Sequence, residues 1–181
     1  MTGAARINTH TDMLTFTILS LLLLVGFSVW AAQIKGEIPT SYSALGTDVG
    51  EYFPGAAVNP WSIATFAVAF LMAPPMVDAG DGSLWQCLGF FAPIYLIIVA
   101  LTPDWEKDRR QRIIHRVGAG ICAVMALLWL VIVRGDFGLT FVVYVAAMVA
   151  GTASRSIERC VTFWLEAGLF LSVYGSLIVG G

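Results

Sequence analysis

Long apolar runs dominate this chain and are separated by shorter polar connections. A membrane-spanning helix needs about 20 mainly apolar residues, because it rises about 1.5 Å per residue across a hydrocarbon layer of about 30 Å. Six runs approach this length and lack the period-two alternation of barrel strands. The pattern therefore predicts an all-α, polytopic bundle of six transmembrane helices in a single domain covering residues 1–181. The predicted spans are 13–34, 60–77, 84–101, 113–133, 138–153 and 160–179.

Composition supports a membrane protein and excludes several other classes. The 181 residues are 58% hydrophobic and only 12% charged, and the mean hydropathy is +0.81. A water-soluble domain usually carries about twice that charged fraction. The net charge of -2 excludes a basic nucleic-acid binder, and three cysteines with two histidines exclude a disulfide framework or a zinc-cluster module. We therefore expect no nucleic-acid partner, no metal and no cofactor.

The basic residues are distributed unevenly between the two predicted membrane faces. Most of the ten Lys and Arg belong to the face of the first, third and fifth connections, and cytoplasmic loops are usually enriched in these residues. Charge placement alone therefore puts that face inside the cytoplasm and both termini outside, although several acidic residues share the face. The basic residues on it are Lys35, Lys107, Arg109, Arg110, Arg112, Arg116, Arg155 and Arg159.

The first connection, residues 35–59, is the longest polar segment and allows two interpretations. Loops of this length inside a compact domain are either functional or mobile. The first interpretation is a solvated surface loop with several turns. The second is a re-entrant cap that presents Ser41, Ser43, Asp48 and Glu51 to the mouth of the bundle, because irregular backbone at membrane depth lines a cavity.

Ionisable residues inside the predicted spans are candidates for a site. Glu166 lies about 9 Å below the same face, where an ionised carboxylate is expensive unless it is paired, hydrated or protonated. His115 and Arg116 begin the fourth span, and Asp104 precedes it. One interpretation is a polar pocket that binds a ligand, and the other is a structural ion pair of Glu166 with Arg116 or His115.

Four short motifs carry a resemblance to a known family. The order of the first three, P-x-S-x-S-A-L-G at 39–46, T-P-D at 102–104 and I-H-R-x-G-A at 114–119, resembles a bacterial six-helix integral membrane family of unknown function, which is similar in layout to the FRAG/DRAM/Sfk membrane proteins. The fourth, F-W-L-E-A-G-L-F at 163–170, is similar to the last helix of related small membrane proteins. The resemblance implies six helices, a polar cluster from the first and third connections, and a bacterial inner-membrane location. It also implies that those connections lie outside the cytoplasm, opposite to the charge count, so the orientation stays open.

Three functions remain as hypotheses. The leading one is a non-enzymatic membrane protein that binds a lipid headgroup or a small polar ligand in a pocket beneath the face of the first and third connections. The second is a structural or assembly subunit, with a membrane-protein partner or a second copy of the chain. The third is a membrane hydrolase or transferase with Ser43 as nucleophile, His115 as general base and Asp104 as its orienting partner. Nucleotide-loop, nucleophile-elbow and zinc-protease motifs are absent from the sequence, which favours the non-enzymatic hypotheses.

Overall fold

The computed structural model describes the backbone of residues 4–179 and the side chains of residues 11–179. Within this part the protein is all-α, 79% helical and without strands, as the apolar pattern predicts. Seven helices follow one another, and α5 continues through a π-helical segment, Trp129–Val133. The helices are α1 (Ala4–Lys35), α2 (Ala44–Tyr52), α3 (Pro60–Asp78), α4 (Gln86–Ala100), α5 (Arg109–Leu128), α6 (Phe137–Ala153) and α7 (Ile157–Val179).

Four segments are long and apolar enough to cross a membrane, which indicates an integral membrane protein. They are Thr11–Lys35, Pro60–Asp78, Arg109–Val133 and Ile157–Val179. The other two predicted spans are apolar helices of 15 and 17 residues, α4 and α6. The structure also corrects the first connection, since residues 35–59 contain α2 and are not entirely loop.

Local sequence signals explain where two long helices begin. The Asn59 side chain accepts a hydrogen bond from the backbone N–H of Trp61 at 2.9 Å, and Pro60 occupies the first helical position of α3. Both features suit a helix start, where the first N–H groups lack partners within the helix. Asp108 caps α5 in the same way by accepting from the backbone N–H of Arg110 at 2.7 Å. The acidic residues before the fourth span therefore include a true cap.

Helix packing places α1, α3, α4 and α5 side by side in that order, and α7 contacts both α1 and α5. The sixth helix, α6, packs mainly against α7. The crossing of α3 and α4 depends on Gly89, because a Cβ there would collide with the backbone carbonyl of Met76. Trp61, Trp129 and Tyr174 are among the largest fully buried side chains of the resulting core.

Hydrogen bonds join the helices at the end of the bundle opposite α2. The indole Nε1 of Trp129 donates to the carbonyl of Met76 at 2.9 Å. Nearby, the Nε of Arg134 donates to the hydroxyl of Ser176 at 3.0 Å, and that hydroxyl donates to the carboxylate of Asp136. This end ties the turn between α5 and α6 to the last helix.

Candidate functional site

The first connection folds into two unlike parts. Residues 38–52, which we name the cap, begin with a short irregular stretch and continue into α2. Residues 41–47 are all buried, including Ser41 and Ser43, which are 8% and 6% exposed. Residues 53–58, which we name the exposed loop, are exposed throughout. The burial of Ser41 and Ser43 agrees with the cap interpretation, whereas Glu51 is exposed and does not. The exposure of residues 53–58 agrees with the surface-loop interpretation.

Residues at the beginning of α3 form hydrogen bonds with the backbone of the cap. The indole Nε1 of Trp61 donates to the carbonyl of Tyr42 at 3.2 Å, and the Asn59 amide donates to the carbonyl of Gly46 at 2.7 Å. A Cβ at Gly46 would lie 2.8 Å from the Trp61 ring, so only glycine lets α2 lie this close. Although Trp61 lies near a predicted span end, where tryptophans often contact headgroups, its side chain is 0% exposed and packs inside the bundle.

Other elements fasten the cap at its two ends. The backbone N–H of Phe163 on α7 donates to the carbonyl of Thr40 at 3.2 Å. The hydroxyl of Thr47 donates to the carbonyl of Pro103, between α4 and α5, at 3.2 Å. These contacts bring together the first connection, the third connection and the start of α7, as the shared membrane face predicts.

Tyr42 is the central side chain of the cap. Its ring packs against the rings of Trp61 and Phe170, and its hydroxyl lies 3.4 Å from the hydroxyl of Thr65. Burial raises the pKa of Tyr42 to about 12, and the hydrogen bond with Thr65 opposes this shift. Tyr42 is therefore a neutral packing residue at physiological pH.

Glu166 binds the backbone of the cap. One carboxylate oxygen, Oε2, accepts a hydrogen bond from the backbone N–H of Tyr42 at 2.5 Å. Among residues 11–179, Glu166 forms no ion pair with Arg116 or His115. The ion-pair interpretation is therefore wrong for these partners, and the structural role of Glu166 is to hold the cap.

His115 lies in an aromatic environment. Its ring stacks on Trp105, with ring centroids 4.9 Å apart and planes 16° apart, and the ring of Trp61 lies 6.5 Å away. Its Nδ1 is 2.9 Å from the hydroxyl of Thr102, and the histidine is 3% exposed. The indole Nε1 of Trp105 donates to the carbonyl of Ser43 at 3.3 Å, which links this stack to the cap.

These contacts do not form the hydrolase relay. A relay needs His115 bonded to an orienting carboxylate and to a nucleophile. Instead, Nδ1 of His115 is hydrogen-bonded to the hydroxyl of Thr102, and Asp104 is exposed. No hydrogen bond joins Ser43 to His115 within residues 11–179.

The remaining candidate residues lie at the rim. The Nζ of Lys35 is 2.6 Å from the Oδ2 of Asp48, which ties the end of α1 to α2. Glu51 forms an exposed ion pair with Lys107 at 3.1 Å. Arg116 is exposed, as a lipid-phosphate contact or a solvated residue requires. Asp48 is thus part of the cap's attachment, whereas Glu51 and Arg116 are accessible.

A cavity of about 480 Å³ opens beside the cap, between the exposed loop and the connection that follows α4. We name it the rim cavity. Its charged and polar lining side chains are Asp104 and Lys107 from the connection, with Asn59 and Ser62 from the start of α3. Its volume lies in the range of small-molecule sites, about 300–1,000 Å³. Since α3 begins and α4 ends here, the cavity lies where the spanning helix α3 meets one membrane surface.

Several polar groups of the rim cavity have no partner within the described residues. The hydroxyl of Ser62 is buried and forms no hydrogen bond. The backbone N–H groups of Ala57, Val58 and Asn59 are also without a hydrogen-bond acceptor. The carboxylate of Asp104 forms neither a hydrogen bond nor an ion pair there. Of these groups only the Ser62 hydroxyl is buried, and buried polar groups normally have partners. Ala57, Val58 and Asp104 are exposed, so their polar groups are open to water.

The sequence missed Ser62 as a site residue and treated Lys107 only as one of the basic residues of its face. The available signal was the stretch F-P-G-A-A-V-N-P at 53–60, where two prolines and a glycine predict irregular backbone immediately before an apolar helix. Within the described residues no group of three His, Cys, Asp or Glu side chains is arranged to hold a metal ion. The lining of the rim cavity can therefore interact with a ligand through hydrogen bonds and charges.

Comparison with protein-family models, with curated proteins and with solved structures gives no match for this chain.

Proposed function

We propose that this protein is a non-enzymatic, multi-pass membrane protein that binds a small polar ligand or a lipid headgroup in the rim cavity. The observation that carries the proposal is a cavity of about 480 Å³ at the edge of the cap, into which the third connection brings Asp104 and Lys107 beside the start of α3.

Charged side chains of both signs stand at the mouth of the cavity, where they are exposed. Asp104 and Lys107 bring both signs to one cavity, and Lys107 reaches Glu51 at its rim. The side chains of Ser41 and Glu166, two candidates from the sequence, form hydrogen bonds within the cap, and the backbone carbonyl of Ser43 accepts from Trp105. The proposed site is therefore displaced from the bundle interior to the edge of the cap.

We further propose six crossings of a bacterial inner membrane. The hydrogen bonds of Asn59 with Gly46 and of Thr47 with Pro103 keep the start of α3 and the end of α4 at the cap. Because α3 is long enough to leave the cap end and cross the layer, α4 returns through it. The hydrogen bond of Phe163 with Thr40 likewise keeps the start of α7 at the cap. If α5 leaves the cap end and crosses the layer, α6 must therefore return through it. The family resemblance supports the bacterial location.

Native mass spectrometry of the full chain, extracted from its host membrane in a mild detergent, tests the binding function. We expect a retained adduct on the wild type and a loss of at least about tenfold in its occupancy in Lys107→Gln. Arg109→Gln is the matched control, because Arg109 is exposed on the same polar stretch but does not line the cavity. No adduct on the wild type, or equal occupancy in Lys107→Gln, would contradict the proposal.

A structural or assembly role is the second candidate, and a different observation favours it. The helix α6 packs mainly on α7 and leaves large apolar side chains exposed, among them Phe137, Phe141 and Val149. In a bilayer such a face contacts lipid, another membrane protein or a second copy of this chain. The same spectra distinguish the candidates, since masses of two or more associated chains without a ligand adduct would favour assembly.

A further inference from the structure

A second cavity, which we name the apolar groove, opens between α1 and α7 and has a volume of about 180 Å³. Its sides are formed by residues 21–29 of α1 and 163–171 of α7, and Tyr42 of the cap completes the lining. It shares no lining residue with the rim cavity. Since α1 packs mainly against α3 and α7 mainly against α6, a space remains between α1 and α7.

The apolar groove lies at the depth of the lipid hydrocarbon. The end of α1 and the start of α7 are both held at the cap, by the ion pair of Lys35 with Asp48 and by the hydrogen bond of Phe163 with Thr40. On both helices the groove extends from six to fourteen residues away from that end, which corresponds to depths of about 9–21 Å. Both helices contain segments long and apolar enough to cross a membrane, whose hydrocarbon layer is about 30 Å thick. The groove therefore opens into lipid.

The rim of the apolar groove is continuous with the lipid-facing surface of the bundle. Val25, Val29 and Leu171 line the groove and are themselves exposed to about half of their area. Leu24 and Tyr42 line it as well, but both are buried. The groove thus leads from the lipid-facing surface inward to the central side chain of the cap.

The size of the apolar groove limits what can enter it. Its 180 Å³ is similar to the volume of an apolar cavity that admits one benzene molecule, about 150 Å³. A helix of another protein or of a second copy is about 10–12 Å across and is too wide. An acyl chain has the required narrow, apolar shape.

The lining of the groove also has no free group for a carboxylate among the described residues. The hydroxyl of Ser28 donates to the carbonyl of Leu24 at 2.6 Å, and the hydroxyl of Tyr42 lies 3.4 Å from that of Thr65. A free fatty acid would therefore find no partner there for its charged end, whereas a phospholipid keeps its polar part at the membrane surface.

From this depth, shape and lining we infer that the apolar groove binds one acyl chain of a membrane phospholipid, with the headgroup at the surface on the cap side. The acyl chain lies beside Tyr42, whose ring also packs against Trp61 and Phe170. The bound lipid thus completes the packing around the cap. This inference does not depend on a ligand in the rim cavity.

A phosphatidylethanolamine that carries a photoreactive diazirine in one acyl chain tests the inference on the wild type. The full chain in mild detergent is stripped of lipid, incubated with the probe and irradiated, and the labelled residues are mapped by mass spectrometry. Residues 63–70 of α3 are the reference, because Ile63, Phe66 and Phe70 are exposed apolar side chains that do not line the groove. We expect residues 21–29 and 163–171 to be labelled about tenfold more than the reference.

Obstruction of the apolar groove should remove this preference. Ala167→Trp places an indole in the groove, and we expect labelling of residues 21–29 to fall about tenfold. Ala146→Trp is the matched control, because Ala146 is exposed on α6 and does not line the groove. Val25→Trp obstructs the groove from its exposed rim and provides a second variant in case the first does not fold. Lys107→Gln alters only the rim cavity and should leave the labelling unchanged, so this inference and the proposed function can fail separately.

Three results would overturn the inference. The first is equal labelling of the groove and of residues 63–70 in the wild type. The second is undiminished labelling of the groove in folded Ala167→Trp and Val25→Trp. The third is displacement of the probe by oleate as readily as by unlabelled phosphatidylethanolamine, which would make a free fatty acid the occupant.

Discussion

The cap and the exposed loop are adjacent in sequence and opposite in character. Residues 41–47 are buried, and backbone groups of Tyr42, Gly46 and Thr40 are bonded to distant helices. Residues 53–58 are exposed, and two of their N–H groups, those of Ala57 and Val58, lack partners in the described part of the chain. Polar residues in a membrane protein therefore do not share one meaning. Those of the cap stabilise the fold, and those around the rim cavity remain available to a ligand.

The largest expected difference between the two regions comes from adding one methyl group to a glycine. Gly46→Ala places a Cβ 2.8 Å from the Trp61 ring, and Trp61 is buried and cannot retreat. We expect a loss of about 3 kcal/mol in the free energy of unfolding, the upper range for overpacking. Gly55→Ala in the exposed loop, where nothing lies within 4 Å, should change it by less than about 0.5 kcal/mol. Thermal or denaturant unfolding in detergent measures both, and equal stability of the two variants would contradict the cap packing.

Alkaline pH should weaken the cap through Tyr42. Its pKa is about 12 in the folded protein because of burial, and about 10 when unfolded. The folded state thus retains the proton longer, so the stabilisation is complete below pH 10 and is lost as the pH rises through 12. The full difference corresponds to about 2–3 kcal/mol.

Tyr42→Phe isolates this effect, because it removes the titrating group. It also removes the 3.4 Å hydrogen bond with the buried hydroxyl of Thr65, so the variant should be about 1 kcal/mol less stable than the wild type at neutral pH and less sensitive between pH 10 and 12. Tyr52→Phe is the control for loss of a tyrosine hydroxyl at an exposed position, where the hydroxyl donates to the carbonyl of Ile34 at 3.2 Å. If the stability of the wild type and of Tyr42→Phe fell equally between pH 10 and 12, ionisation of Tyr42 would not be the cause of the alkaline loss.

Glu166 provides a third and somewhat smaller contrast. Glu166→Ala leaves the N–H of Tyr42 without its acceptor and should destabilise the protein by about 1–3 kcal/mol. Glu166→Gln keeps a carbonyl oxygen in place and should be milder. Glu158→Ala, an exposed acid at the start of the same helix, should have little effect. Unfolding midpoints of the three variants give the order, and a loss in Glu166→Gln equal to that in Glu166→Ala would argue against the hydrogen bond.

How far the sequence predicts this structure depends on the range of the interactions. Apolar runs predict α3 as 60–77, and Asn59 with Pro60 accounts for its start, because these signals are local. The helix α2 was missed because Gly46 and Gly50 reduce helix propensity. Its stability comes from distant contacts with Trp61 and Pro103.

The candidate site shows the same division. Depth in the last span identifies Glu166 as a residue that needs a partner, and the structure confirms that it has one. The partner is a backbone N–H 124 positions earlier in the chain, which no spacing rule reveals. Likewise, the orphaned hydroxyl of Ser62 is a property of the assembled cavity, since a serine in the first turn of a helix is ordinary in sequence terms.

The smallest contrast is a pair of identical substitutions with opposite expected signs. The hydroxyl of Ser41 accepts from the backbone N–H of Ala44 at 3.0 Å inside the cap, so Ser41→Ala should cost about 1 kcal/mol. Ser62→Ala deletes a buried hydroxyl that has no partner, so the ligand-free protein should be equally or slightly more stable, by up to about 1 kcal/mol. Parallel unfolding curves of the two variants and the wild type in the same detergent measure this difference. A loss of stability in Ser62→Ala would place its hydroxyl among the structural groups of the cap.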